Sequence, residues 1–598
     1  MSDEYRIRPG SNPFVVHSPE DLHPEEVVRL FVDVLADFTK VANPGHMMIH
    51  GPRGSGKSMI FRYLQPDCQR LAQGVGTNEL RYFGLYVGVK RSDLGLTELR
   101  RLSGETIDYY LLEHLMVMQV LCCLLDDLQR APAAEHEVVG KDLIARFWGD
   151  FAASLIQAGF APASVTGAPI VGAAALFARM NAITLKLKQE ATTYIRRLGS
   201  EPATSYAGPL CGYADFLLPL FGSLRSLGVL PSAPVYLLVD DGDLLSMAQT
   251  RVLNSWLYSR TSLNVSIKVT TQYRYKTLRT PAGTAIEAPH DLQEVDTAQL
   301  YTAAGRRYSD LVSQILQRRF DAAAIDATPQ EFFPKDVEQE AQIQQLADKL
   351  KDEWSESGRG ARPTDDAVRY ARPDFIRQLK GQAKSGSSYS YAGFAQLVHV
   401  SSGVYRFFLD PASQMYDRQF ERNNGSAVLS IDADLQNDAV RDEANKLLYK
   451  SFDEMQRDAS EVVGGEERVR VLQNLVHTLG GIFQAILLSS RSERRVFSIA
   501  LSQQPDQKIL DVLSYGVASG YFTEATIGNK EGTGRTRLYV LTRRLAPAFL
   551  LDPFGFAGYL FVTNQFLHKA MANPASTIRE FTNRMSEPSD DGQLPLFD

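Results

Sequence analysis

The stretch "HMMIHGPRGSGKSMIF", residues 46–61, decides the fold because it predicts a short apolar strand, a glycine-rich turn and a helix in succession. Its central part, "GPRGSGKS" (51–58), matches the phosphate-loop pattern G-x-x-x-x-G-K-[ST]. Glycines let backbone N–H groups curl around phosphates, the lysine reaches the β- and γ-phosphates, and the final hydroxyl binds Mg²⁺. A glycine-rich turn that binds nothing is the alternative, and the strand–loop–helix context disfavours it. The stretch therefore predicts a nucleotide site.

The predicted ligands of this site are ATP and Mg²⁺. Lys57 is expected to act in catalysis, and the Ser58 hydroxyl is expected to bind the metal ion. The residues predicted to hold the nucleotide are those of the loop and of the first helical positions: Gly51, Pro52, Arg53, Gly54, Ser55, Gly56, Lys57, Ser58 and Met59.

A second stretch, "APVYLLVDDGDLLS" (233–246), runs an apolar strand into three carboxylates. The run "VYLLV" is typical of a buried parallel strand, and ligands of parallel sheets bind at the carboxyl ends of strands. We expect Asp240 to be a carboxylate of the magnesium site and Asp241 to orient an attacking water. Asp243 fits a loop or helix-cap residue better. A solvated acidic loop is the alternative, and the phosphate loop upstream makes it the less favoured one.

The order of predicted elements indicates a parallel α/β sheet with crossovers. The strand before the phosphate loop, the strand ending at Asp240, and strands at 82–89 and 264–271 are separated by helices. The first helix is expected over 24–40, and the mostly helical region at about 105–230 reads as an insertion. The predicted parts are a nucleotide-binding domain (1–300), a helical lid (301–460), a winged helix (469–550), and a C-terminal helix with a disordered acidic tail (551–598).

The composition is that of a soluble globular chain of two to four domains, with 598 residues, 44% hydrophobic and 22% charged. A net charge of −7 argues against a surface that coats nucleic acid everywhere but allows a local basic patch. The four cysteines show no metal-ligand or disulfide spacing, which favours a reducing cytoplasm. The uncharged stretch 159–178 contains prolines and glycines and fits a buried loop and helix start better than a membrane span. We expect a cytoplasmic protein without a membrane partner.

Several motifs in sequence order carry a resemblance to a known family. They are "NPF" (12–14), "GPRGSGKS", "LLVDD" (237–241), "SIKVTT" (266–271), "YSDLVSQILQRRF" (308–320) and "SSGVYR" (401–406). The chain resembles the origin-recognition/replication-initiator group of AAA+ ATPases, especially bacterial relatives found in phage-defence gene clusters. The resemblance covers roughly residues 10–90 and 232–550. It implies an α/β P-loop AAA+ domain with a parallel sheet, an α-helical lid and a C-terminal winged helix.

The resemblance also implies roles for individual residues. "SSGVYR" is similar to the second sensor motif of that group, which would place Arg406 over the γ-phosphate. The first sensor would be Thr271 or Gln272. ATPases of this kind need an arginine near a subunit interface, and Arg260 and Arg279 are the candidates, with Arg274 beside them. A surface arginine without this role is an equally good interpretation of each.

Two departures from the family pattern bear on function. Such enzymes usually have Asp-Glu at the end of the acidic strand, whereas this chain has Asp240 and Asp241. The shorter Asp241 side chain places water poorly unless the loop moves. The insertion at about 105–230 lies outside the initiator pattern and is expected to carry a partner surface.

The predicted winged region is rich in cations. Basic residues on a wing would contact phosphates and give salt-dependent binding with little base reading. A solvated face or a docking surface for a neighbouring subunit is the alternative. The predicted DNA contacts are Lys530, Arg535, Arg537, Arg543 and Arg544.

The last residues, "QLPLFD" (593–598), resemble the peptide that binds the bacterial sliding clamp. A flexible acidic tether could present Leu594, Leu596 and Phe597 to an apolar pocket. Short motifs also arise by chance, and an apolar C-terminal tip could dock on its own domain.

Three functions fit these observations. The first is an oligomeric ATPase motor or switch that acts on DNA or on a partner effector, with a role in bacterial antiviral defence implied by the resemblance. The second is a nucleotide-bound sensor or scaffold with little turnover, which the Asp-Asp pair motivates. The third, a small-molecule kinase, shares the phosphate loop, but the second-sensor arginine and the winged helix count against it.

Overall fold

The computed structural model describes most of the chain, in two compact units. The first unit takes in the described residues of Met1–Arg6 and His17–Thr297, and the second takes in those of Ile7–Val16 and Ala298–Asp598. The described residues are 6–33, 38–95, 99, 108–132, 139–167, 169–198, 205–259, 264–273, 275–297, 305–357, 363–381, 388–460, 464–489, 495–528, 535–554 and 558–586.

The first unit contains a five-stranded parallel sheet with the strand order β2-β3-β4-β1-β5. The central strands β3 and β4 are buried along their whole length, as their apolar and β-branched residues predict. Their carboxyl ends lie side by side at one edge of the sheet. The strands are β1 (Met47–His50), β2 (Phe83–Gly88), β3 (Val235–Asp240), β4 (Val265–Thr271) and β5 (Gln293–Asp296).

Short helices precede and follow β1. The predicted helix over 24–40 is wrong in length, because the first helix ends at Leu30 and Phe31 is extended, with φ −64° and ψ 128°. This conformation lets the Phe31 ring stack on Tyr63 with ring centroids 3.7 Å apart. The helices in this part are α1 (Pro24–Leu30), α2 (Phe38–Ala42), α3 (Lys57–Tyr63) and α4 (Pro66–Gln73).

The predicted insertion is helical and shares its hydrophobic core with the sheet. Its first helix packs against both the longest helix of the insertion and β2, and one continuous apolar cluster includes Leu115, Phe177 and Leu237. The insertion is therefore built into the first unit. Its helices are α5 (Tyr109–Arg130), α6 (Lys141–Gln157), α7 (Ala173–Arg197) and α8 (Leu218–Ser226), and α9 (Met247–Tyr258) follows β3.

The second unit begins with a helical bundle into which the N-terminal "NPF" motif packs. The Phe14 side chain is fully buried against Phe320, Phe332 and Phe333, and the Asn12 amide donates to the Asp417 carboxylate at 2.8 Å. The helices are α10 (Gly305–Ala323), α11 (Pro329–Phe332), α12 (Val337–Ser357), α13 (Pro363–Gly381), α14 (Phe394–Val400), α15 (Tyr405–Arg422), α16 (Ala433–Asn445) and α17 (Ser451–Ala459).

The rest of the second unit combines helices with a four-stranded sheet of order β7-β8-β6-β9. Two helices and the antiparallel hairpin β7–β8 follow the order predicted for a winged helix. Strand β9, which pairs parallel with β6, was not anticipated and extends the sheet past residue 550. The elements are α18 (Gly465–Leu488), β6 (Val496–Leu501), α19 (Gln507–Ala518), β7 (Phe522–Gly528), β8 (Arg535–Leu541), α20 (Ala546–Phe549), β9 (Gly558–Val562), α21 (Asn564–Ala572) and α22 (Pro574–Ser586).

Helix α18 is the only described helix long and apolar enough to cross a membrane. Its most apolar window has a mean hydropathy of 1.4, and 61% of that window is buried inside the protein. It packs against α21 and α22 in the second unit. This burial is typical of the core helix of a soluble protein.

Candidate nucleotide-binding site

The phosphate loop leaves the end of β1 in a conformation that depends on its glycines. Gly54 and Gly56 have φ values of 88° and 93°, which glycine adopts without a steric cost. The Gly51 N–H donates to the Thr271 carbonyl oxygen at 3.2 Å and fixes the loop to β4. A Cβ atom at Gly51 would lie 1.9 Å from Thr297 Oγ1, so this position accepts only glycine without rearrangement.

The Lys57 ammonium points back into the loop. Its Nζ donates to the carbonyl oxygens of Gly51 at 2.7 Å and Pro52 at 2.9 Å, and the residue is 7% exposed. Burial lowers the pKa of Lys57 to about 8, while the negative charges of Asp240 and Asp241 act in the opposite direction. An anion bound in the loop would further favour the charged ammonium, as a phosphate site requires.

The Asp240 carboxylate is buried at the end of β3 and held by three donors. The Tyr86 hydroxyl donates to Oδ2 at 3.0 Å, and the Asp241 N–H donates to Oδ1 at 3.2 Å. The Thr270 hydroxyl also donates to Oδ1. The sequence does not predict two of these donors, Tyr86 and Thr270. A strand pattern does not show which residue of a neighbouring strand places a hydroxyl beside Asp240.

Asp241 begins the turn after β3. Its backbone is left-handed, with φ 57° and ψ 44°, a conformation that aspartate tolerates better than most residues. Burial and the neighbouring charges of Asp240 and Asp243 raise the pKa of Asp241, and Lys57 acts against this rise. The carboxylate of Asp241 therefore belongs to the same charge cluster as Lys57 and Asp240.

The turn also reaches β4. Asp243 Oδ1 accepts a hydrogen bond from the Gln272 N–H at 3.3 Å, as its prediction as a loop residue allows. Thr271, one first-sensor candidate, is fully buried, and its hydroxyl lies 2.9 Å from His50 Nδ1. Gln272, the other candidate, is half-buried at the end of β4. Three consecutive residues therefore have different partners. Thr270 contacts Asp240, Thr271 contacts β1, and Gln272 contacts the acidic turn.

The donor chemistry of this edge of the sheet fits Mg²⁺. The ion prefers hard oxygen ligands and is usually bound by one or two protein ligands together with substrate phosphates. Ser58, at the second position of α3, offers a hydroxyl, and Asp240 offers a carboxylate whose orientation is fixed by its donors. These two residues would hold the ion.

The arginine-finger candidates receive no direct support. Arg279 is exposed, and its Nη1 donates to the Gly283 carbonyl oxygen at 2.9 Å within a local turn. Arg260 and Arg274 lie outside the described residues.

The second-sensor motif lies in the second unit, where "SSGVYR" forms a turn and starts α15. The Ser401 hydroxyl donates to the Val398 carbonyl oxygen at 2.7 Å and lies 2.8 Å from the Tyr308 hydroxyl. Ser402 and Gly403 have positive φ angles of 55° and 82°, which turn the chain. Arg406 is the second residue of α15, and its predicted role over the γ-phosphate stays a prediction.

Two of the predicted DNA contacts, Arg543 and Arg544, are engaged by other groups of the second unit. Arg543 is 1% exposed, its Nε donates to the Pro553 carbonyl oxygen at 3.0 Å, and its guanidinium lies 4.9 Å from the Phe497 ring centroid. The Arg544 guanidinium lies 3.9 Å from the Phe407 ring centroid and 3.8 Å from a carboxylate oxygen of Glu443. Both guanidinium groups are engaged by groups of the second unit, which disfavours their predicted role in DNA contact.

The other basic residues of the wing differ in whether the structure describes their side chains. Arg537 is exposed on β8. Arg535 begins β8, and its side chain is not among those described; Lys530 and the clamp-like peptide 593–598 lie outside the described residues. Among the described residues, Arg537 is an exposed cation of the wing, and its contact with DNA stays a prediction.

The strand order, the phosphate loop after β1 and the acid at the end of β3 together define a P-loop ATPase of the AAA+ class. The chain belongs to the ORC-CDC6-like family, whose model matches residues 12–561. The predicted AAA+ fold and the predicted origin-recognition type are thereby confirmed.

Other comparisons add little. No curated protein matches the chain in sequence. Among solved structures, the chain is similar to the Aeropyrum pernix ORC1 protein in complex with DNA, at 12% identity, over 91% of this chain and 96% of that chain, with a TM-score of 0.25. A TM-score this low supports no structural argument.

Proposed function

We propose that this protein binds and hydrolyses Mg-ATP and uses the cycle as an oligomeric switch on DNA or on a partner effector. The observation that carries the proposal is the placement of Lys57 in the phosphate loop, in the field of the Asp240 and Asp241 carboxylates. This is the arrangement that phosphoryl transfer needs, with a cation for the phosphates and an acid for the metal ion. Membership of the ORC-CDC6-like family supports an ATPase with a DNA-associated role.

Each residue of the site has one task in this proposal. Lys57 would bind the β- and γ-phosphates, and Ser58 and Asp240 would hold Mg²⁺, which would supply positive charge against the charge that develops on the phosphates. Asp241 orients the attacking water, and Thr271 or Gln272 contacts the γ-phosphate as first sensor. Arg406 and an arginine of a neighbouring subunit, Arg279 or Arg260, would complete the site in the oligomer.

The winged part of the second unit supplies the DNA contact in this proposal. Arg537 is exposed on the hairpin strand β8, where it can meet a phosphate. The family supports a DNA-associated role. The same proposal includes three points that rest on the sequence alone. They are a cytoplasmic location, a role in antiviral defence, and binding of the sliding clamp through residues 593–598.

A second candidate function is a nucleotide-bound sensor or scaffold with negligible turnover that recruits a separate effector. Asp241 favours it, because this residue stands where the family usually has glutamate and its backbone is locked in a left-handed turn. A short side chain in a fixed turn has little freedom to reach an attacking water.

One experiment separates the two functions. ATP turnover is measured with the full chain alone, with single-stranded DNA and with double-stranded DNA, and the molecular mass is measured with and without ATP. The switch predicts turnover that DNA stimulates and an ATP-dependent increase in mass. Turnover that DNA leaves unchanged, together with a monomeric mass, would favour the sensor.

A further inference from the structure

Tyr86 on β2 places its hydroxyl between two carboxylates. The oxygen lies 3.0 Å from Asp240 Oδ2 and 2.9 Å from Glu20 Oε1. A phenol with its ordinary pKa of about 10 is protonated at neutral pH, so the Tyr86 hydroxyl acts as a donor. It has one proton, which it can give to one carboxylate at a time.

The second carboxylate is anchored independently of Tyr86. Glu20 belongs to the short turn Pro19–Asp21, and its other oxygen accepts from the Ser18 hydroxyl. Arg91 lies 3.6 Å from that carboxylate and pairs with Asp21 at 2.8 Å. Glu20 therefore offers a second, independently held acceptor for the Tyr86 hydroxyl.

The strand leaves room for this arrangement. Gly88 is the β2 residue that pairs with Asp240, and it lies two positions after Tyr86 on the same face of the sheet. A Cβ atom at Gly88 would lie 3.0 Å from Tyr86 Cε1 and 3.1 Å from its hydroxyl oxygen. The absence of a side chain at Gly88 is what lets the tyrosine ring lie beside the end of β3.

From this geometry we propose that Tyr86 is a positioning residue for the cation-binding carboxylate Asp240. Its hydroxyl donates to Asp240 Oδ2 and fixes the orientation of the carboxylate, so that Asp240 is held in the same position without the cation and with it. Glu20 is the alternative acceptor of the same proton, so the buried phenol is not left unpaired when the Asp240 side chain moves. This inference rests on the proposed Mg-ATP site.

The expected consequence is specific to the metal ion. Removing a hydrogen-bond partner of a metal ligand typically weakens metal binding by about 10- to 100-fold. The phosphate loop itself does not contain Tyr86, so nucleotide binding without Mg²⁺ should be unaffected by its hydroxyl. A tyrosine with only a packing role would instead change stability and leave the metal dependence as it was.

The test uses Tyr86→Phe in the full chain and measures ATP affinity calorimetrically, first with EDTA and then across a Mg²⁺ titration. The control is Tyr82→Phe, a buried tyrosine that precedes β2 and lies about 13 Å from Tyr86 along the chain. We expect Tyr86→Phe to need at least about tenfold more Mg²⁺ to reach the same ATP affinity, while its ATP affinity in EDTA stays unchanged. Tyr82→Phe should resemble the wild type in both measurements.

A second variant tests the geometry while keeping the hydroxyl. Gly88→Ala displaces the Tyr86 ring and should raise the Mg²⁺ requirement in the same direction, and adding it to Tyr86→Phe should cause no further rise. Wild-type Mg²⁺ dependence in Tyr86→Phe, or additive effects in the double variant, would overturn the inference while leaving the ATP site intact. A wild-type protein without Mg²⁺-dependent ATP binding would instead overturn both proposals.

Discussion

The Thr270 hydroxyl donates a hydrogen bond to Asp240, which joins the ends of the neighbouring parallel strands β4 and β3. The same hydroxyl oxygen accepts from the Asp241 N–H at 3.0 Å. One buried side chain thus fixes both the predicted metal ligand and the backbone of the predicted water-orienting residue. The geometry of the site therefore depends on this cross-strand contact as well as on the acids.

Thr270→Val should impair the metal-dependent function of the site while preserving its shape. The substitution removes the donor to Asp240 and the acceptor for the Asp241 N–H, so we expect Mg²⁺ to bind about tenfold more weakly or worse. The measurement is a Mg²⁺ titration of ATP binding. Thr270→Ser retains the hydroxyl and serves as the control, and equal behaviour of the two variants would contradict the assigned role.

Asp241→Asn separates hydrolysis from binding. If Asp241 prepares the attacking water, turnover should fall on the order of 100-fold, while ATP affinity should not fall, since no phosphate contact is lost. Steady-state turnover and calorimetric affinity check the two parts. Asp241→Glu tests the same residue from the other side, because a large gain in turnover would show that the native acid is poorly placed and would favour the sensor.

The two arginines Arg537 and Arg543 should behave in opposite ways. Arg537→Gln should weaken DNA binding about equally for all sequences and lower the slope of log affinity against log salt by about 1. Arg543→Gln should leave that slope unchanged and lower the melting temperature. The substitution removes the buried guanidinium that donates to the Pro553 carbonyl oxygen and whose charge acts on the buried Asp552 carboxylate. Binding isotherms at several salt concentrations and thermal melts distinguish them. A changed slope in Arg543→Gln would contradict its structural role.

Because of Lys268, the free energy of unfolding should rise with pH above about pH 7. This residue is buried in β4, where its Nζ donates to the Asn43 carbonyl oxygen at 2.9 Å, and burial lowers its pKa to about 7. From about pH 7 to the ordinary lysine value, the unfolded chain binds more protons than the folded one, so stability rises with pH by up to about 1.4 kcal/mol per unit. Lys268→Met should flatten this rise in denaturant unfolding at pH 7 to 9. Identical slopes in both proteins would contradict the assignment.

The sequence predicted the parts of the site that lie in one continuous motif. The glycines, Lys57 and Ser58 have fixed spacing because one turn of backbone must surround a phosphate, and this requirement is visible in eight residues. Asp240 was also predictable, since an acid after an apolar strand falls at the ligand-binding edge of a parallel sheet. The strand order and the shared core of the insertion were beyond reach, because both depend on pairing between distant segments.

The misses have physical causes too. The residues Thr270 and Thr271 look alike in the sequence, yet successive side chains of a strand point to opposite faces, and only register decides which one meets Asp240. Arg543 and Arg544 were assigned to DNA by charge alone. Charge does not show that aromatic rings and a carbonyl oxygen in the same unit already bind them.

The most direct test of the central claim is ATP turnover by the wild type and by Lys57→Ala, each with and without double-stranded DNA. Lys141→Ala, which removes an exposed lysine at the start of α6, is the matched control. The account predicts that Lys57→Ala abolishes nucleotide binding and turnover, while Lys141→Ala turns over ATP as the wild type does. Equal turnover in the wild type and in Lys57→Ala would contradict it.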